Sequence, residues 1–189
     1  MFNSEIEYTF IQTDRGGDTD LHISCSLYKF FVRSQRTLDV RKYIVEVKYY
    51  GESLYTIDYY AKLSTRKHPN KYKLKTNQYT FGQVGSTMLR IMASIINVVD
   101  SRACFGILAA TLIEEGLNNE SNKRFHAYSR TLSRVAERKE VTEELNPFKN
   151  VAMLAIEEIS SIFVITEPRT DDEKQHVVDR YQEIFRDVF

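Results

Sequence analysis

TNQYTFGQVGSTMLRIMASIINVVD, residues 76–100, reads as a turn, then two glycines three positions apart, then a long amphipathic helix. Phe81, Val84, Met88, Ile91, Ile95 and Val98 recur at three- and four-residue intervals, the spacing of one buried helix face. Ala93, Ile96 and Val99 widen that stripe, so a central helix is expected over Phe81–Asp100. What the helix lies against decides the fold class.

Upstream of it the chain reads as strands. EYTFIQT alternates, and RGGDTD after it is a turn by its Gly-Gly and Asp content. LHISCSLYKFFVR alternates through Leu21, Ile23, Cys25 and Leu27, then becomes continuously apolar. DVRKYIVEVKYYG alternates at Tyr43, Val45, Val47 and Tyr49, with Lys42, Glu46 and Lys48 between them. GES is a tight connection to a return strand, LYTIDYYAKLSTR. Successive strands on short turns imply an antiparallel meander.

Downstream, CFGILAATLIEEG is an apolar run of strand length. NNESNKRFHAYSRTLSRVAERKE is expected to be helical, with Phe125, Tyr128, Leu132 and Val135 on one face. FKNVAMLAIEEISSIFVITEP favours a strand in SSIFVIT; VAMLAIEEI fits helix or strand. DDEKQHVVDRYQEIFRDVF is a last helix, acidic in its first turn as the helix dipole prefers. The expectation is an α+β domain over residues 1–189, a mostly antiparallel central sheet with helices on its faces.

With 189 residues, 42% hydrophobic and 28% charged, the chain can bury a core, and disorder is not expected. Net charge is zero but unevenly spread. Nine Lys/Arg against three Asp/Glu give +6 over Arg41–Lys75, and five against twelve give −7 over Glu140–Phe189. Either a basic face meets an anion, or two solvated surfaces differ in charge. Cys25 and Cys104 have no CxxC or Cys/His spacing and read as buried thiols of a reducing compartment. His22, His68, His126 and His176 lack metal spacing, and no Ser/His/Asp order is present, so no metal is expected. MFNSEIEYTF carries no basic n-region before an apolar core, and no run reaches the ~18 apolar residues of a membrane span. A cytoplasmic protein without a membrane partner is expected.

The element order, with glycines opening the helix after the fourth strand, resembles the GNAT superfamily of acetyl-CoA-dependent N-acetyltransferases over most of Glu7 to Arg134. There, Gln/Arg-x-x-Gly-x-Gly/Ala presents backbone N–H groups to the coenzyme A pyrophosphate at the helix N-terminus. The matching register is Gly82, Gln83, Val84, Gly85, Ser86 and Thr87: Gly85 fits, Gly82 replaces the leading Gln/Arg, and Thr87 replaces the final small residue. The family's Asn-x-x-Ala-x-x-Leu/Phe-Tyr helix, whose Tyr protonates the departing thiolate, aligns Tyr128, with Ser121, Arg124 and Ala127 departing from it. With SNKRFHAYSRTLSRV, the chain is most similar to GNAT-like proteins of phages and mobile elements with a degenerate coenzyme A loop.

Each candidate has two readings. Gly82 and Gly85 admit a phosphate, with Ser86 and Thr87 assisting, or Thr80 caps the helix and Gly85 permits close packing on the sheet. Tyr128 is a general acid or a core tyrosine, and Glu114 and Glu115 are a base for an amine or surface carboxylates. Lys71, Lys73 and Lys75, one face if extended, and the helical Arg130 and Arg134 meet nucleic-acid or coenzyme phosphates, or are solvated. Tyr50 and Tyr60 fall beside charges on the less apolar strand face and either contact a second chain or lie on their own sheet.

The leading expectation is a non-catalytic GNAT-like protein, a phage or mobile-element factor, that binds a macromolecular partner, a protein of the host, and forms a homo-oligomer; it needs no cofactor. The alternatives are an acetyl-CoA-dependent N-acyltransferase, with Tyr128 as acid, and a nucleic-acid-binding protein.

Overall fold

Alternating residues in the first part of the chain pair as consecutive antiparallel strands: β1 Tyr8–Arg15, β2 Ser24–Arg33, β3 Val40–Tyr49 and β4 Leu54–Ala61. The computed structural model describes residues 6–34, 38–62, 81–108, 126, 129–130, 148, 151–156, 161–167 and 169–186. Side chains alternate across a strand, so Tyr43, Val45 and Val47 of β3 bury with Ile57 of β4 on one face. The β3–β4 turn is closed by the Tyr50 N–H on the Leu54 carbonyl (2.9 Å) and the Leu54 N–H on the Gly51 carbonyl (2.8 Å). Its residues Gly51, Glu52 and Ser53 all have positive φ, at 92°, 52° and 63°. Only the glycine adopts that backbone freely, so Glu52 and Ser53 carry strain.

The helix α1, Phe81–Ser94, continues into a π turn, Ile95–Val99. The sequence predicts one uninterrupted stripe ending in Val98 and Val99; the structure exposes both, at 81% and 71%. The wider turn is the reason. It ends with Asp100 donating its N–H to the Ile95 carbonyl (2.9 Å), and its carboxylate takes the Tyr55 hydroxyl (3.3 Å) and the Arg102 N–H (3.0 Å). Ile95 and Ile96 stay inside and the stripe stops there.

After α1 come β5 Cys104–Leu108, β6 Val151–Ile156, β7 Ser161–Thr166 and the helix α2, Asp171–Arg186. The seven strands form one sheet in the order β1-β2-β3-β4-β5-β7-β6, in which β4 and β5 run parallel and every other pair antiparallel. This is an α+β fold with a mostly antiparallel sheet, richer in strand than helices on both faces would suggest. VAMLAI, open between helix and strand in the sequence, is β6, paired without interruption from Val151↔Thr166 to Ile156↔Ser161.

The helices take opposite faces. Val84, Met88, Ile91 and Met92 of α1 and Ile95 of the π turn bury against Val45, Ile57, Phe105 and Val164. Val177, Val178, Tyr181, Ile184 and Phe185 of α2 bury against Leu54, Cys104, Phe163 and Ile165. Each such side chain contributes roughly 1.5–3 kcal/mol on full burial. Cys25 and Cys104 are buried free thiols.

Candidate functional site

The parallel pair β4–β5, with α1 crossing between them, is the one βαβ unit among the described residues. In such a unit the crossover helix begins near the C-terminal ends of the strands, and its unbonded N–H groups favour an anion there. The ladder between β4 and β5 is short. It holds three register pairs, Leu54↔Cys104, Tyr55↔Phe105 and Thr56↔Gly106. Both strands run on: β4 stays with β3 as far as Ala61, and β5 stays with β7 as far as Leu108. Beyond Thr56 and Gly106 no register pair joins β4 to β5 among the described residues.

The start of α1 supplies the second half of the site. Its first turn carries no acidic residue. Gly82 and Gln83 are half-buried, whereas Val84, Gly85, Ser86 and Thr87 are buried. Thr87 donates its hydroxyl to the Gln83 carbonyl (3.0 Å), a bond within the helix, so Gly82 and Gln83 are the motif positions closest to solvent. Thr80, the expected cap, lies outside the described residues. So do Lys71, Lys73, Lys75, Glu114, Glu115, Tyr128 and Arg134. Arg130 is described, helical and exposed.

The start of α2 shows what a closed helix mouth looks like. Thr170 and Glu173 form a reciprocal capping box: the Thr170 N–H reaches the Glu173 carboxylate (2.8 Å), and the Glu173 N–H reaches the Thr170 hydroxyl (3.2 Å). Asp171, Asp172 and Glu173 add negative charge to that turn. A cleft of about 480 Å³ opens beside it, lined among others by Glu52, Arg102, Arg169, Glu173 and His176. Arg102 pairs with Glu173 at 2.7 Å, His176 meets Glu52 at 3.2 Å, and Arg169 donates to the Arg102 carbonyl at 2.7 Å while its buried Nε has no partner among the described residues. The Thr170 N–H and the Arg102 side chain hold Glu173 below its ordinary pKa, and Lys174 with the Arg169 N–H does the same to Glu167. This cleft is a seam holding α2 to the sheet.

The two outlying tyrosines have neighbours in their own chain. Tyr50 leans on the α2 cluster, meets His22 edge-on at 6.3 Å, and takes a long bond from the Thr56 hydroxyl (3.5 Å). Tyr60 is half-buried; burial and the Glu46 carboxylate push its phenol up to about 12.

Sequence reasoning missed Tyr181 and Gly106. Tyr181 is fully buried on α2, and burial pushes its phenol well above the usual range, so it stays protonated. Its hydroxyl accepts the Tyr55 N–H (3.2 Å) and lies within reach of the Cys104 carbonyl (2.6 Å) and the Tyr55 carbonyl (2.8 Å), donating to one at a time. Gly106 leaves room for this: a Cβ there would come within 2.8 Å of the Tyr181 ring and 2.9 Å of Phe185. A glycine inside the apolar run CFGIL was the available signal, since it marks a close approach to the strand.

Among the described residues no group of three or more His, Cys, Asp or Glu could hold a metal ion, and no helix is long and apolar enough to cross a membrane. Comparison with protein-family models, with curated proteins and with solved structures gave no match.

Proposed function

We propose that the β4–α1–β5 unit binds an extended, phosphate-headed acyl thioester of the acetyl-coenzyme A type. The observation that carries this reading is the parting of β4 from β5 after Thr56 and Gly106, in a unit whose crossover helix holds no carboxylate in its first turn. The N–H groups of Gly82 and Gln83 would meet the phosphates, and the backbone edges beyond Ile57 and Ile107 would bond the extended arm. The resemblance to the GNAT superfamily supports the same ligand. Such a ligand supplies a thioester carbonyl that an amine can attack, and Tyr128 is the residue that the resemblance assigns to the leaving thiolate.

The reading predicts opposite signs for one substitution. Gln83→Glu places a carboxylate in the first turn of α1, which the helix dipole rewards by about 0.3–1 kcal/mol. The same charge repels a phosphate. Titration calorimetry with acetyl-CoA should give saturable binding to the native chain and at least a tenfold (~1.4 kcal/mol) weaker Kd for the variant, whose Tm is unchanged or higher. No heat with the native chain, or equal binding by both, contradicts the proposal.

A second reading, a GNAT-like protein that works by binding a macromolecular partner without catalysis, draws on a different observation. Phe10, Ile23, Phe31, Leu38 and Val40, in or beside the first three strands, are all more than half exposed, and exposed apolar groups mark docking surfaces where they are contiguous. It stands if acetyl-CoA gives no heat and a protein captured on the native chain is lost on Phe31→Glu with Val40→Glu.

A further inference from the structure

Among the described residues the sheet has one parallel joint, and a side chain from outside the sheet is bonded to it. Tyr181 reaches from α2 to the backbone of Tyr55 on β4 and Cys104 on β5, one residue before Thr56 and two before Gly106, the last register pair. Its ring has little freedom. It stacks on Phe163 at 5.0 Å with 6° between planes and on Phe185 at 5.9 Å, and Gly106 lets it lie directly on the strand. On the other face, Tyr55 stacks on Phe105 at 5.5 Å and hydrogen-bonds Asp100 at the foot of α1. The joint is therefore gripped from both faces just before it opens.

We infer that Tyr181 is a positioning residue that fixes where β4 and β5 part, so that the seating of α2 and the width of the β4–β5 split form one linked equilibrium. A hydrogen bond to each strand opposes migration of the fork toward Leu54 and Cys104. Without the hydroxyl, the Tyr55 N–H and the Cys104 carbonyl have only each other, and the three-pair ladder opens more often. Reciprocity follows from linkage: whatever binds in the split and prefers one separation must favour or disfavour α2 docking by the same factor. That functional consequence rests on the ligand reading above; the positioning role itself does not.

The test uses Tyr181→Phe, which keeps the ring and removes the hydroxyl alone. Because it also lowers overall stability, Ile91→Val serves as a control; Ile91 is equally buried but belongs to α1, on the other face. Amide hydrogen exchange is followed in all chains without any ligand. Relative to Ile91→Val, Tyr181→Phe should speed exchange at Tyr55 and Gly106, whose amides face across the joint, by a further tenfold or about that, while Val45 and Val47 in mid-β3 follow overall stability alone. Indistinguishable profiles for Tyr181→Phe and Ile91→Val would overturn the inference, because the hydroxyl would then be a general contributor to stability. Since acetyl-CoA is absent from every sample, failure of the ligand proposal leaves this result intact.

Discussion

Phe163→Ala is expected to lower the melting temperature further than any other single truncation on the α2 side of the sheet. Phe163 is fully buried and lies against Tyr181, at 5.0 Å, and Phe185, at 5.9 Å. Its neighbour on β5 is Gly106, which has no side chain to collapse into the space left behind. Removing a buried phenylalanine costs about 3–5 kcal/mol when the site relaxes poorly. A chain of this length loses about 2–4 °C of Tm per kcal/mol, so the fall should be roughly 6–20 °C. Thermal unfolding followed by circular dichroism reads it directly. A shift below about 2 °C, the smallest worth 1 kcal/mol, would mean that α2 does not rest on β7 as described.

Gly106→Ala tests the same contact from the opposite direction, by overfilling it. The added methyl would sit 2.8 Å from the Tyr181 ring and 2.9 Å from the tip of Phe185, closer than carbon atoms pack. Replacing a strand glycine normally helps by about 0.5–1 kcal/mol through the unfolded chain. Overpacking a core costs about 1–3 kcal/mol, and here the ring that must yield is held by stacking and by its hydroxyl. The cost should win, with a net fall of a few degrees in Tm. The substitution should also couple with Tyr181→Phe: once the hydroxyl no longer anchors the ring, the ring can retreat, so the double variant should be more stable than the sum of the two losses. Additive losses, or a gain from Gly106→Ala alone, would show that α2 sits further from β5.

Much of this architecture was legible because alternation and burial are local signals. Tyr43, Val45, Val47 and Tyr49 announced β3, and their pairing with Ala61, Tyr59, Ile57 and Tyr55 of β4 follows from a short turn. VAMLAI did not announce itself, because residues apolar at every position satisfy both periods; only the offer of β7 as an unbroken partner makes it a strand. The stripe of α1 was legible to Ile96 and misleading at Val98 and Val99, since the π turn answers to Asp100 and its bond to Tyr55, 45 residues away in sequence. For the candidate site, the glycines at the mouth of α1 were visible, and the parting of the ladder was not. That feature depends on which strands stay with β3 and which with β7. Tyr181 was invisible for the same reason: its role exists only once a C-terminal helix lies across two strands joined in parallel.

The proposed ligand site combines the parted β4–β5 joint with the start of α1. Mapping backbone amide shifts of the nitrogen-15-labelled chain during an acetyl-CoA titration tests it most directly. Saturating shifts are expected, largest at Gly82 and Gln83 and, along the edges of the split, at Tyr59 and Leu108, with the amides around Arg102 and Glu173 unmoved. Shifts confined to that charged cleft, or none at millimolar acetyl-CoA, would contradict it.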